Sequence, residues 1–264
     1  MKKLLLILSL LAFSTVAGAW EQTLARPLSE CGKQMPYGEP QAQQTTQGLC
    51  RLAYATAVDN SAKLPVWTSY VLTPNHAIGC FPRTNAFVRD RSVKDGASPE
   101  DYAGTGYDKG HVAPDGDMSW DQQVEYESFL MTNMMPQTGG LNRGIWKYLE
   151  TTIRGWVVQQ GNSYTIYAGP IYSMDAKTIG KGVIVPDAFY KIVINDQTGA
   201  IMGWIFPHQD GLKDLVALRK PVKHIMEVTG IRFGFPPNGH EVRPGQEAPV
   251  DFGALTNLKR KVCK

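Results

Sequence analysis

The feature that most narrows the possible folds is one amphipathic stretch, Leu141 to about Gln159, set between groups of β-type runs. Ile145, Leu149, Ile153 and Trp156 recur there at steps of three and four residues, which predicts a helix with a single apolar face. Such a face needs a sheet or other helices to cover it. Upstream, Ala53–Val58 and Val66–Leu72 are rich in β-formers and flank Asp59-Asn60-Ser61, a hairpin pattern. Downstream, β-type runs follow at Ser163–Ala168, Gly182–Val185, Phe189–Ile194 and Ala200–Phe206. Further helices are expected over Trp120–Met131 and Leu212–Thr229. Strands and helices are mixed rather than alternating, which favours α+β: a mainly antiparallel central sheet flanked by helices. Residues 20–48 lack periodicity and read as a loose arm, and 82–107 as one long functional loop. No repeat, low-complexity tract or linker divides the chain, so residues 20–264 are expected to form one domain, its core about 50–240.

The first residues have a different purpose. Met1-Lys2-Lys3 is a positive start, Leu4–Val16 an apolar run, and Ala17-Gly18-Ala19 a small-residue cleavage site. That is the pattern of a secretory signal peptide; the run is too short for a membrane span. Export to the periplasm or the medium is therefore expected, with a mature chain starting at Trp20. Setting aside Lys2 and Lys3 lowers the formal charge from +3 to +1. Net charge cannot then draw in a polyanion, and any nucleic-acid groove has to be locally basic. The four cysteines, Cys31, Cys50, Cys80 and Cys263, all lie in the exported part, where an even number favours two disulfides. Three pairings are open; Cys31 with Cys50 is preferred, leaving Cys80 to pin the C-terminal tail through Cys263.

The groups with chemical capacity lie close together in sequence. His111 follows Gly110 in Asp108-Lys109-Gly110-His111, and histidine is suited to take a proton from water near neutral pH. His76, His208, His224 and His240 have no such neighbours. Asn142 stands near the start of the long helix, where asparagine is also a favoured N-cap. Glu150 lies eight positions on and Arg154 four more, so Asn142, Trp146, Glu150 and Arg154 form a slowly drifting stripe. Asn142 and Glu150 are roughly 12 Å apart along the axis, too far for both to ligate one small cation. One direct ligand, with a carboxylate holding coordinated waters, suits Mg²⁺. A solvated helix face with a Glu150–Arg154 salt bridge is the plainer alternative.

Several motifs together are more specific than any of them alone. Asp108–His111, Phe129-Leu130-Met131-Thr132-Asn133-Met134-Met135-Pro136-Gln137, Asn142–Glu150, Tyr167–Tyr172 and Val185–Lys191 make the chain resemble the DNA/RNA non-specific endonuclease family, from about Tyr54 to about Pro236. These are the ββα-metal nucleases, which include mitochondrial endonuclease G and secreted bacterial sugar-non-specific nucleases. The resemblance implies a ββα-metal motif, with His111 as general base and Asn142 as the sole direct protein ligand of Mg²⁺ (Mn²⁺ or another divalent cation being the variant). It implies that Glu150 orients metal-bound water, Asn133 supports the histidine, and Arg154 sits by the scissile phosphate. Arg83 matches an upstream phosphate-contacting arginine more loosely, and Asp108 is expected to be structural. One position departs from the family. Lys109 stands where arginine is usual, which keeps the charge but loses the planar fork for phosphate. The implied partners are DNA and RNA, with no membrane; a homodimer and a protein inhibitor are left open. Two other readings stay open on the residues: an exported phosphodiesterase for a small nucleotide or other polymer, and a non-catalytic nucleic-acid binder on the same scaffold.

Overall fold

The computed structural model describes residues 22–263; the expected signal peptide lies outside them. Along the chain, β1 (Gln47–Cys50), β2 (Tyr54–Asp59) and β3 (Leu64–Leu72) form a meander. After the long loop come β4 (Tyr107–His111), α1 (Asp115–Met118), α2 (Gln122–Ser128) and β5 (Met134–Thr138). Strand β5 runs straight into a helix of three parts: α3 (Gly139–Leu141), a π-helical stretch (Asn142–Trp146) and α4 (Lys147–Gln160). Then follow β6 (Tyr164–Ile171), the small hairpin β7 (Thr178–Ile179) and β8 (Val183–Ile184), β9 (Ala188–Asn195) and β10 (Ala200–Pro207). Helix α5 (Val222–Thr229), β11 (His240–Glu241) and α6 (Phe252–Val262) complete the order.

Seven strands form the main sheet in the order β1-β2-β3-β6-β9-β10-β11, antiparallel except for the last pair. Its hairpins are set by side chains that mimic backbone acceptors. Asp59 Oδ1 accepts from Ser61 N (2.8 Å) and Ala62 N (3.1 Å) at the β2–β3 turn. Asn195 Oδ1 does the same for Gln197 N and Thr198 N, both at 3.1 Å, before Gly199 turns the chain at φ +76°. The two-residue period of β9 then sorts the layers. Phe189 and Val193 face a core shared with Trp146, Leu149, Ile153 and Trp156 of the long helix. Tyr190, Ile192 and Ile194 face a second core with Val222 and Ile225 of α5 and with Cys31 and Met35 of the N-terminal arm. The sheet is thus covered on both faces.

The α+β expectation holds, with local corrections. The helix expected over Leu212–Thr229 is confined to α5, because Pro221 disfavours helical geometry at the residue before it. The helix expected over Trp120–Met131 shrinks to α2, started by Asp121, whose side chain accepts from Gln123 N and Val124 N. Val183–Ile184 pairs only with β7, outside the main sheet. The arm is better fixed than its composition suggests. A Cys31–Cys50 disulfide and paired Arg26–Cys50 backbone bonds (3.0 and 2.8 Å) sew it to the edge strand. The second disulfide joins Cys80 to Cys263. No described helix is long and apolar enough to cross a membrane.

Candidate active site

Strands β4 and β5 pair antiparallel, with His111 opposite Met134 and Gly110 opposite Met135. The sequence hides this ribbon because Asp-Lys-Gly-His has no alternating pattern. Gly110 is needed in it: a Cβ there would lie 1.9 Å from Oε1 of the buried Gln137. Since β5 leads directly into the long helix, the ribbon and helix form one ββα unit. His111 on β4 and Asn142 in the helix line a single cleft of about 570 Å³. Glu150, Arg154, Lys109, Asp108 and Arg83 line it too, together with Phe87, Tyr107, Arg143 and Lys147, which the sequence did not single out.

Asn142 is not an N-cap. The helix starts at Gly139, and Asn142 has αR geometry inside the chain of helical turns. The start is held from outside: Asp210 Oδ1 accepts from Leu141 N at 3.0 Å, and His208 Nε2 accepts from Thr138 N at 2.9 Å. His208 Nδ1 lies 2.6 Å from Pro186 O, so the ring is neutral, with Nδ1 donating. A π-helical turn with Gly144 at φ −97°, ψ −115° then interrupts the ladder. Through this stretch Asn142, Glu150 and Arg154 all reach the cleft, whereas Trp146, from the same predicted stripe, is core. Asn142 Nδ2 donates to Asp108 Oδ2 at 2.9 Å, and Arg143 Nε lies 3.1 Å from the same oxygen. Asp108 thereby fixes the Asn142 amide as well as its own strand.

His111 is buried against aromatic rings, edge-on to Phe129 at 4.8 Å and tilted to Phe87 at 5.7 Å. Burial, with the Arg83 charge adding, pushes its pKa down to about 3. The imidazole is therefore neutral, and Nε2 has no hydrogen-bond partner in the protein. Arg83 bonds Asp115 Oδ2 (3.0 Å) and Asn85 Oδ1 (2.7 Å), its guanidinium 4.7 Å from the Phe129 ring centre. The Lys109 ammonium lies 4.8 Å from the Phe87 ring centre.

Glu150 and Arg154 sit in a buried ionic network rather than on a solvated face. Arg154 Nη1 donates to Asp117 Oδ1 at 2.6 Å, and Tyr70 Oη donates to Asp117 Oδ2 at 2.9 Å. Lys191, from β9, has a wholly buried side chain with Nζ 3.7 Å from Glu150 Oε1 and 4.2 Å from the Trp146 ring centre. Burial raises the Glu150 carboxyl to about 7 against the pull of Lys191 and Arg154, and burial lowers Lys191. Asn133 lies behind the site and outside the lining. Its Oδ1 accepts from Ala113 N (2.9 Å), and its Nδ2 donates to Ala113 O and Ser128 O (both 2.8 Å). It clamps the backbone after His111 through Ala113. Lys191 and Asp117 escaped sequence reasoning; the one available signal was a lysine amid the apolar residues of Phe189–Ile194.

The donor set fits a hard divalent cation. Asn142 offers a neutral oxygen on an amide held by Asp108, and Glu150 Oε1 is a buried carboxylate oxygen without a hydrogen-bond partner in the protein. Among the described residues no group of three or more His, Cys, Asp and Glu forms a denser nest. A cation that keeps most of its waters suits so few ligands.

The family model for DNA/RNA non-specific endonucleases matches residues 32–238. A nuclease of Nostoc sp. is 38% identical over 144 residues, 53% of this chain and 52% of that protein. Mitochondrial endonuclease G of Bos taurus is 28% identical over 221 residues, 76% of this chain and 73% of that one. A chain of the crystal structure of the EndoG/EndoGI complex has a TM-score of 0.69 at 24% identity, over 76% of this chain and 90% of its own, a likeness of fold. This chain spans about half the length of several curated relatives it matches. The family match takes in the ββα unit and every cleft residue named above, and the chain belongs to the DNA/RNA non-specific endonuclease family.

Proposed function

We propose that this protein is an exported, Mg²⁺-dependent endonuclease that hydrolyses phosphodiester bonds in both DNA and RNA. The observation that carries this reading is the convergence of His111, Asn142, Glu150 and Arg154 on one cleft. Asn142 would hold the cation and Glu150 its coordinated water. When bound, Mg²⁺ stabilises the charge that develops on the phosphorane-like transition state and the leaving 3′ oxygen. His111 removes the proton from the attacking water through its unpartnered nitrogen. A substrate phosphate beside the ring opposes the Arg83 charge and raises the basicity of His111. Arg154, Arg83 and Lys109 neutralise the phosphate, and Asn133 and Asp108 keep the base and the ligand in place. In-line attack leaves 5′-phosphate and 3′-hydroxyl ends. Contacts confined to phosphates carry no base information, so one cleft serves many sequences and both sugars.

The test is digestion of plasmid DNA and total RNA by the signal-cleaved protein with Mg²⁺, with EDTA, and by His111→Ala beside the wild type. Metal-dependent loss of both substrates is expected from the wild type. The variant should keep its fold and substrate binding while turnover falls by about 10²- to 10⁴-fold. Wild-type-like cleavage by His111→Ala would end this mechanism.

A further inference from the structure

Arg83 reaches the cleft from outside the ββα unit, on a stretch of loop that is itself exposed. Residues 81–85 all face solvent, and Asn85 turns the chain at φ +54°, a conformation uncommon outside glycine. What ties this stretch down is a carboxyl from α2. Glu125 is wholly buried, and its Oε1 accepts from Thr84 N (2.8 Å) and Thr84 Oγ1 (3.3 Å). One residue earlier, the Arg83 guanidinium donates to Asp115 Oδ2 at 3.0 Å and to Asn85 Oδ1 at 2.7 Å. Asp115 stands at the start of α1 and lines the cleft.

The remaining oxygens of the two carboxyls, Glu125 Oε2 and Asp115 Oδ1, are buried and have no N–H or O–H donor among the described residues. The two side chains lie within hydrogen-bonding reach of each other. Carboxylates in such contact do not both stay ionised; one keeps a proton and donates it to the other. Burial raises the Glu125 carboxyl above its ordinary range, and Asp115 raises it further against the two Thr84 bonds. Asp115 is the partly exposed member, 18% open, and already neutralises an arginine. The shared proton therefore belongs to Glu125. The charged groups beyond the pair are Arg83 from the loop and His111 on β4, which the same arginine helps to keep neutral.

Resting on the reading of Arg83 as a phosphate contact, we propose that Glu125 is a positioning residue for this nuclease, a neutral acid that donates to Asp115, accepts from Thr84 and so fixes Arg83 at the cleft. Thr84, Glu125, Asp115 and Arg83 then form one chain of bonds from the core to the substrate. With the proton on Oδ1, Asp115 keeps Oδ2 for the guanidinium, and Arg83 turns Nη2 to the phosphate. An ionised Glu125 would put two negative charges in contact and push Asp115, with its arginine, out of place.

The test compares the signal-cleaved wild type with Glu125→Gln, Glu125→Leu and Asp115→Ala on plasmid DNA in Mg²⁺. The glutamine variant is neutral, with an acceptor for Thr84 and a donor for Asp115, and its kcat/KM should stay close to that of the wild type. Glu125→Leu releases the loop and should lower kcat/KM by about tenfold or more, the scale on which a misplaced binding group acts. Asp115→Ala reads the same loss without opening the core, should Glu125→Leu fail to fold. Wild-type kcat/KM in Asp115→Ala, or a glutamine variant as slow as Asp115→Ala, would overturn the proposal. The proton is read apart from activity, in metal-free protein. Native Glu125 holds a proton that the unfolded chain releases above about pH 4.5, so this stabilisation is complete in acid and declines as pH rises. The Tm of Glu125→Gln should therefore gain on that of the wild type between about pH 5 and 8; Glu150 titrates in both chains and cancels. A flat or falling gap would mean an ionised Glu125 and reject the assignment. Because this readout needs no turnover, a rising gap in a wild type that cut neither polymer would count against the nuclease reading alone.

Discussion

Two buried ion pairs in this molecule have nearly the same burial and unequal degrees of satisfaction, with only Nε of Arg51 unpartnered in the first. Arg51 and Asp90 are each 1% exposed, with Nη2 2.5 Å from Asp90 Oδ2. The pair is further bonded to Thr23 O (2.8 Å), Ser92 Oγ (3.0 Å) and Thr132 Oγ1 (2.6 Å). It ties the N-terminal arm, β1's end and the long loop together. Lys191 and Glu150 are 0% and 9% exposed, yet they stand 3.7 Å apart, and neither Nζ nor Oε1 has a hydrogen-bond partner in the protein. Buried charges left short of partners are costly, and they are retained where a ligand completes them. The first pair is therefore architectural, and the second stands at the cleft, where Glu150 is part of the lining.

The largest effect expected from this contrast is on stability at the first pair. Arg51→Met strands a buried carboxylate and should cost about 3–5 kcal/mol, read by denaturant unfolding, with turnover per folded molecule unchanged. A comparable loss of turnover at full folding would remove the distinction. Glu150→Gln should behave in the reverse sense, losing about 100-fold in turnover with little stability lost. The sign with pH follows from burial. A carboxyl raised from 4.5 to about 7 holds a proton in the native state that the unfolded chain has released. That contribution is present at acid pH and is lost as pH rises through about 7. Metal-free Glu150→Gln should therefore gain Tm relative to wild type between about pH 5 and 8, and a gap that stays flat would show that Glu150 is not buried as described.

Lys191→Met sharpens the comparison further. Without the ammonium Glu150 can protonate, so the stability loss should be smaller than at Arg51, while turnover falls about tenfold. Removing a neighbouring cation raises a carboxyl's pKa, so the rising limb of the pH–rate profile should move to higher pH. Lys191→Arg should restore part of the rate; a purely structural lysine would leave the limb where it was. The smallest effect is expected at Lys109→Arg, which should leave turnover unchanged or improve it slightly by restoring the bidentate fork. A large loss there would mean that the contact of Lys109 with Phe87, rather than its charge, sets its role.

What the sequence could disclose was whatever repeats with a period. The helix bearing Glu150 was legible because Ile145, Leu149, Ile153 and Trp156 return every turn, and β9 and β10 because their apolar runs are bounded by turn residues. Strand β4 was not, since its strand identity comes from pairing with β5 and its glycine is dictated by Gln137 across the ladder. Asn142 was picked out while its setting was misjudged: Asp210 and His208, far along the chain, start the helix before it. Lys191 is the clearest omission. Its role depends on which face of a strand meets which face of a helix, and that information is tertiary.

The Cys80–Cys263 bond also imposes an order of events. Cys31–Cys50 spans 19 residues and can close early; Cys80–Cys263 spans 183 and cannot close until residue 263 is in place. On chain-entropy grounds the larger ring restricts the unfolded chain by about 5 kcal/mol against about 3 for the smaller. Every residue that lines the cleft, from Arg83 to Arg154, lies inside the larger ring, and so does Lys191. A chain kept in a reducing compartment would have neither ring. Closing the second ring is thus a late assembly step, which joins the segment before the long loop to the end of α6.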